Sequence, residues 1–164
     1  MTILGIDPGL ATLGWGVIQN EGNKLKLVQY GTLGTPPNSA LPSRLRSIFL
    51  GVRQLMQTYE PDEVAFEELF FSKNVTTGMM VSAARGAALV AVVEKNESVY
   101  EYTPMQVKQA VVGYGRAEKQ QVQHMVRMLL GMAEIPKPDD AADALAVAIT
   151  HAHTGVAAER FKMK

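Results

Sequence analysis

The sequence predicts an α/β fold: a mixed five-stranded sheet, three antiparallel strands plus parallel ones, with helices on both faces. Three observations predict it. The first third reads as short apolar runs separated by tight turns. From residue 42 onward, stretches of helical periodicity alternate with two more short strands. The early connections are too short for anything but antiparallel pairing, whereas a helix between two strands implies a parallel crossover.

The first strand is residues 2–7, where the apolar run Ile3-Leu4-Gly5-Ile6 ends in Asp7. Pro8-Gly9 then turns the chain, because proline sets the direction and glycine accepts a tight bend. Residues 14–19 form the second strand. Residues 26–33 form the third, after a turn at Glu21-Gly22-Asn23. A Pro-, Asn- and Ser-rich stretch over 34–42 is a loop. A helix over 42–59 places Leu45, Ile48, Phe49, Val52, Leu55, Met56 and Tyr59 on one face, with Arg44, Arg46, Arg53 and Gln57 on the other. Pro61-Asp62 breaks it, and a buried strand over 63–67 ends in Glu67. Residues 69–78 are irregular, followed by a helix of small and apolar residues over 79–95. Residues 98–102 are the fifth strand. Thr103-Pro104 is a helix cap followed by proline at the first helical position, opening a helix over 105–112. Gly113-Tyr114-Gly115 interrupts it and a helix resumes over 117–131. After Pro136-Lys137-Pro138, Asp139 or Asp140 caps a last, alanine-rich helix that ends near His153. Residues 1–154 are expected to form a single domain, and 155–164 a flexible tail.

The 164 residues carry sixteen basic and sixteen acidic side chains and no cysteine. Zero net charge gives no general sign of a polyanionic partner. The distribution is more telling: acids concentrate over 60–68 and 134–143, while Lys108, Arg116, Lys119 and Arg127 face only Glu118 between residues 102 and 132. A negative pocket beside positive segments suits a metal site next to a polyanion, and an ordinary solvated surface explains the same runs. No apolar stretch approaches the roughly 20 residues that span a bilayer. No signal peptide opens the chain, so a cytoplasmic location without membrane association is expected.

Four acids are the candidate site: Asp7, Glu67, Asp140 and Asp143. Asp7 and Glu67 end two strands expected to lie side by side, and acids at the carboxyl ends of parallel strands stand where active sites form. Asp140 and Asp143, three apart, share one helix face. Capping accounts for an acid at the helix start, but not for Asp143 among Ala142, Ala144, Leu145 and Val147. Clustered carboxylates repel and call for protons or a cation, and hard oxygen ligands suit Mg²⁺, with Mn²⁺ as a substitute. Two ions per site would activate water and stabilise the leaving oxygen in phosphodiester hydrolysis. Phe70 and Phe71 either wedge into stacked bases or pack beneath their loop. Lys108 and Lys119 either contact phosphate or are simply solvated. Gly113–Lys119 lacks a preceding strand and a Lys-Ser/Thr ending, so it is not a phosphate loop. His151 and His153 read as a helix C-terminus, where imidazolium favours the dipole.

Together these residues resemble the RuvC family of Holliday junction resolvases, a bacterial branch of the ribonuclease H-like nucleases. The resemblance spans about residues 1–153. It rests on Ile3-Leu4-Gly5-Ile6-Asp7-Pro8-Gly9, Gly14-Trp15-Gly16, Val64-Ala65-Phe66-Glu67-Glu68-Leu69-Phe70, Ser72-Lys73-Asn74, Ala84-Arg85-Gly86, Gln106-Val107-Lys108-Gln109, the run from Gly113 to Lys119, Gln121-Val122-Gln123-His124-Met125 and Asp140-Ala141-Ala142-Asp143. Leu13 stands where the family usually has a small hydroxyl residue, and Leu10 is more apolar than usual.

The resemblance implies a ribonuclease H-like fold and a homodimeric endonuclease that cuts two opposed strands of four-way junction DNA symmetrically. The family's metal-binding carboxylates fall on Asp7, Glu67, Asp140 and Asp143. Its junction-wedging aromatic falls on Phe70, and its supporting basic residues on Lys108 and Lys119. Phe71, Lys73 and Arg116 are implied DNA contacts, and RuvA and RuvB are implied partners. The helix over 79–95 either forms the dimer face or packs internally.

Overall fold

The computed structural model describes residues 1–22, 24–69 and 75–164. Five strands form one sheet: β1 (Thr2–Asp7), β2 (Thr12–Glu21), β3 (Lys24–Gly34), β4 (Glu63–Glu67) and β5 (Val99–Tyr102), in the order β3-β2-β1-β4-β5. The β1–β2 and β2–β3 pairs are antiparallel, and β1–β4 and β4–β5 are parallel. The hairpin connections and the helical crossovers therefore decide the pairing as the sequence implies.

Among the described residues, five α-helices cover the sheet: α1 (Leu41–Tyr59), α2 (Val75–Val93), α3 (Pro104–Val112), α4 (Lys119–Leu129) and α5 (Asp139–Thr154). Strand alternation divides the core in two. Leu4, Ile6, Val64 and Phe66 face α1 and α2 through Ile48, Val52, Met56, Ala84 and Ala88. Ile3, Ala65 and Ile18 face α5, with α3 and α4 outside it through Val107, Val111, Val122 and Val126. Leu10 and Leu13, the two departures from the family pattern, are buried in the first of these layers, where apolar side chains add to packing.

Local signals act where expected. Thr103 Oγ1 accepts from the Gln106 backbone, the Gln106 side chain accepts from the Thr103 backbone, and Pro104 opens α3. Several boundaries differ. β2 and β3 run longer than the apolar runs, since ladder bonding extends past the buried positions. α2 starts at Val75 rather than at 79, taking in part of the stretch read as irregular.

Two further expectations need revision. α2 is apolar and long enough, by length and composition alone, to cross a membrane; the expectation that no such stretch exists is corrected. Its alanines and glycines hide that length from a scan for large apolar residues. Residues 155–164, read as a flexible tail, hold a 3₁₀ helix (Gly155–Phe161). Phe161 stacks on Tyr102 at 5.0 Å between ring centroids, and the Met163 N–H donates to the Val99 carbonyl at 2.9 Å, capping the edge of β5.

Candidate active site

The parallel register Ile6↔Phe66 brings the next residues, Asp7 and Glu67, to adjacent strand ends. Their side chains share a hydrogen bond. α5 crosses the same end of the sheet and adds two acids one turn apart. It can lie this close because Gly14, paired with Asp7 across β1–β2, has no side chain: a Cβ there would stand 1.9 Å from the Asp140 carbonyl oxygen. Gly14 thus seats the helix, which is a packing role.

Burial first, and then the neighbouring Glu67, Asp143 and Asp140, push the Asp7 carboxyl up to about 9. Burial also raises Glu67, with Asp143 adding to the effect, against the Asp7 hydrogen bond and the cations Lys119 and Lys108. Asp7 therefore holds the proton and donates it to the Glu67 carboxylate. Asp143 is likewise raised, first by burial, although Lys119 opposes this. The Lys119 ammonium sits 2.8 Å from Asp143 Oδ2 and 3.5 Å from Asp139 Oδ2. Burial lowers the Lys119 pKa, but these two carboxylates outweigh it and raise the group.

A cavity of about 200 Å³ is lined by Glu67, Lys108, Lys119 and Asp143, with Pro104, Val107, Val122 and Ala146 as its apolar wall. Asp140 lines a neighbouring open groove of about 480 Å³, together with Gly9, Thr12, Arg44 and the first turns of α2. Arg44, left by sequence reasoning on a solvated helix face, stands in this groove and donates to Thr35 Oγ1 at 2.8 Å. Its only sequence signal is its place in the first turn of α1, which the fold brings beside Asp140. Arg116 is exposed in the turn before α4, outside the cavity lining. Phe70, Phe71 and Lys73 lie outside the described residues.

Among the described residues, no three His, Asp or Glu side chains are gathered closely enough to enclose one metal ion. Asp143 is held by Lys119, and Asp7 and Glu67 are closed on each other. The donor chemistry still fits a divalent cation. Hard carboxylates crowded enough to retain a proton near neutral pH are those a cation relieves.

His151 is a correction. Sequence reading makes it an imidazolium at a helix C-terminus; it does stand in the last turn of α5, but it is buried, which lowers its pKa, with Nδ1 2.7 Å from the Tyr102 hydroxyl and Nε2 2.6 Å from Glu63 Oε2. Its place eight residues after Asp143, in the run Ala148-Ile149-Thr150, was the available signal. His153 does stay exposed, near the Ala110 carbonyl at 3.2 Å.

The family model described as crossover junction endodeoxyribonuclease RuvC matches residues 3–151. The chain belongs to the RuvC family. A RuvC of Alkaliphilus metalliredigens is 56% identical over 164 residues, covering all of both chains. The Thermus thermophilus RuvC solved with its Holliday junction substrate superposes with a TM-score of 0.88 at 42% identity, covering 93% of each chain. The yeast mitochondrial Holliday junction resolvase aligns at a TM-score of 0.68 and 12% identity, over 98% of this chain and 81% of that one. At that identity the likeness speaks for the ribonuclease H-like fold alone. The chain is a crossover junction endodeoxyribonuclease, a hydrolase of phosphodiester bonds in DNA. RuvC nucleases are metal-dependent.

Proposed function

We propose that this RuvC cuts two opposed strands of a four-way DNA junction, one in each subunit of a homodimer, with Asp7, Glu67, Asp140 and Asp143 holding the divalent ions. The observation that carries the residue assignment is the carboxyl-end adjacency of Asp7 and Glu67 beneath the start of α5. We assign two Mg²⁺ ions per site, with Mn²⁺ as a substitute. When bound, the ions activate water and stabilise the departing 3′ oxygen.

The chain's own residues do the rest. The carboxylates must lose the Asp7 proton, and Asp143 must leave Lys119, before they serve as ligands. Lys119 is then free to turn to the scissile phosphate, and Lys108 faces the same cavity. Both oppose the negative charge that develops there. Phe70 follows β4 closely in sequence and is assigned the wedge that opens the junction; Phe71, Lys73 and Arg116 are assigned to DNA contact. Phe70→Ala is expected to weaken cutting more than junction binding, checked by gel shift and cleavage side by side; equal losses would remove the wedge.

The dimer face is assigned to α2. Val75, Met79, Gly86, Val90 and Val93 make an apolar stripe at helical spacing, and the four with side chains are exposed. A two-fold dimer presents two equivalent sites to a pseudo-symmetric substrate. RuvA and RuvB are the assigned partners, in the cytoplasm, where junction DNA is handled.

Cleavage of a synthetic four-way junction, with and without Mg²⁺, tests the carboxylate assignment. Asp7→Asn should bind the junction and fail to cut it. Cutting at near wild-type rate would refute the assignment.

A further inference from the structure

β4 carries an acid at each end. Glu63 and Glu67 are four residues apart, so they point to the same face of the sheet as Ala65, the face covered by α5. α5 runs antiparallel to β4 there. Its start brings Asp143 to the cavity it shares with Glu67, and its far end brings His151 to Glu63. The spans agree: eight helical residues from Asp143 to His151 rise about 12 Å, and four strand residues from Glu63 to Glu67 extend about 13 Å. Helix and strand thus carry facing polar groups at both ends, joined by a hydrogen bond at the His151–Glu63 end.

Between those ends the contact with β1 and β4 is smooth, while Leu145 seats over Gly16 of β2. A Cβ on Gly5 of β1 would stand 2.1 Å from the Ala144 carbonyl oxygen and 2.9 Å from Ala148 Cβ. Ala65, Ala144 and Ala148 offer no knob against β1 and β4, so on that side apolar packing does little to fix the helix along its axis. Apolar burial is non-directional and tolerates a small slide, whereas a hydrogen bond does not. The directional tie to β4 is His151. Its ring is almost fully buried and stacks on Tyr100 at 4.3 Å between centroids. The arrangement that satisfies every partner has the Tyr102 hydroxyl donating to Nδ1 and Nε2–H donating to the Glu63 carboxylate. Tyr100 donates to the other Glu63 oxygen at 3.2 Å.

We propose that His151 is a positioning residue for the cutting reaction: tied to Glu63 and Tyr102, it holds α5 at one axial position on the sheet and so sets where Asp140 and Asp143 stand opposite Glu67. It touches no substrate. The proposal rests on the carboxylate assignment made above, because its consequence is the spacing of those ligands.

His151→Phe keeps the ring and removes both hydrogen bonds. Three readouts are taken at a temperature where circular dichroism shows the variant folded. They are Mn²⁺ affinity by calorimetry without DNA, single-turnover cutting of saturating junction, and junction affinity without metal. Mn²⁺ affinity is expected to fall about 10-fold and cutting about 10- to 100-fold, with junction affinity held within about two-fold. Glu63→Gln, whose amide oxygen still accepts from Nε2–H, should behave as wild type, and Glu63→Ala should follow His151→Phe. Wild-type Mn²⁺ affinity and cutting in folded His151→Phe would overturn the proposal. Should that variant fail to fold, wild-type Mn²⁺ affinity in Glu63→Ala overturns it equally, and a loss rescued only by glutamine upholds it. Asp7→Asn is run beside them. If it still binds Mn²⁺ and cuts, the carboxylate assignment fails; if it is inert while His151→Phe is unaffected, only the positioning role fails.

Discussion

Asp7 shows how a single residue couples stability to function. Buried beside three other acids, its carboxyl ionises near 9 in the fold and near 3.8 when unfolded. A raised acid stabilises the fold while protonated, and that contribution is lost as pH rises from the unfolded value through the folded one. The chain without divalent ions should therefore melt at progressively lower temperature as pH rises from about 4 to about 9, with Glu67 and Asp143 acting in the same direction. Asp7→Asn, neutral throughout, should flatten that dependence, and thermal melts in chelator across this range check it. A wild-type curve that rises over the window would contradict the crowding of these acids. Lys119 is the second decisive side chain. Its ammonium lies between Asp139 and Asp143 at the cavity where phosphate is assigned. Lys119→Ala is expected to slow single-turnover cutting by about 10²-fold, the scale of one lost electrostatic contact to developing charge. It should also shallow the dependence of junction binding on salt. No change in either would leave Lys119 as a structural partner of Asp143.

At the scale of elements, the site exists because α5 meets β1 and β2 at glycines, Gly5, Gly14 and Gly16, which let its backbone come close. Gly14 is the tightest point, where even one methyl would overlap the backbone of Asp140. Gly14→Ala must push the start of α5 outward, and overpacking of this kind costs about 1–3 kcal/mol. The same displacement moves Asp140 and Asp143 away from Asp7 and Glu67. Gly14→Ala should thus lose cutting out of proportion to stability. Chemical denaturation and cleavage measured together test this. Thr103→Ala provides the contrast: losing the cap of α3 costs about 1 kcal/mol and should leave cutting intact wherever the protein is folded.

At the scale of the whole molecule, the sheet separates two tasks. One face packs α5, α3 and α4 around the carboxylates, and the other packs α1 and α2. α2 buries Gly78, Ala84, Ala88, Ala91 and Val92 inward and leaves Met79 and Val90 exposed by 69% and 56%. Exposed apolar stripes of this sort mark interaction surfaces. Val90→Glu is expected to convert a dimer into monomers in sedimentation velocity and to replace paired cuts by single nicks. A dimer of unchanged stability would move the interface elsewhere.

The sequence alone determined the order and type of the elements, because turn chemistry and the periods of 2 and 3.6 are local. It also singled out Asp7, Glu67 and Asp143, since an acid inside an apolar run is visible without coordinates. Charged residues at helix surfaces were not legible in the same way. Arg44, Lys108 and Lys119 look alike in a sequence, and only the packing of α1, α3 and α4 around α5 decided which cavity each enters. His151 was misread for the same reason: two residues from exposed His153, it differs only in the neighbours that distant strands bring, Glu63 and Tyr102. The tail beyond residue 154 likewise gained its 3₁₀ turn and its bond to β5 from contacts about 60 residues away in the chain. Local free energies are written along the polypeptide, whereas burial and charge pairing depend on which remote segments fold against one another.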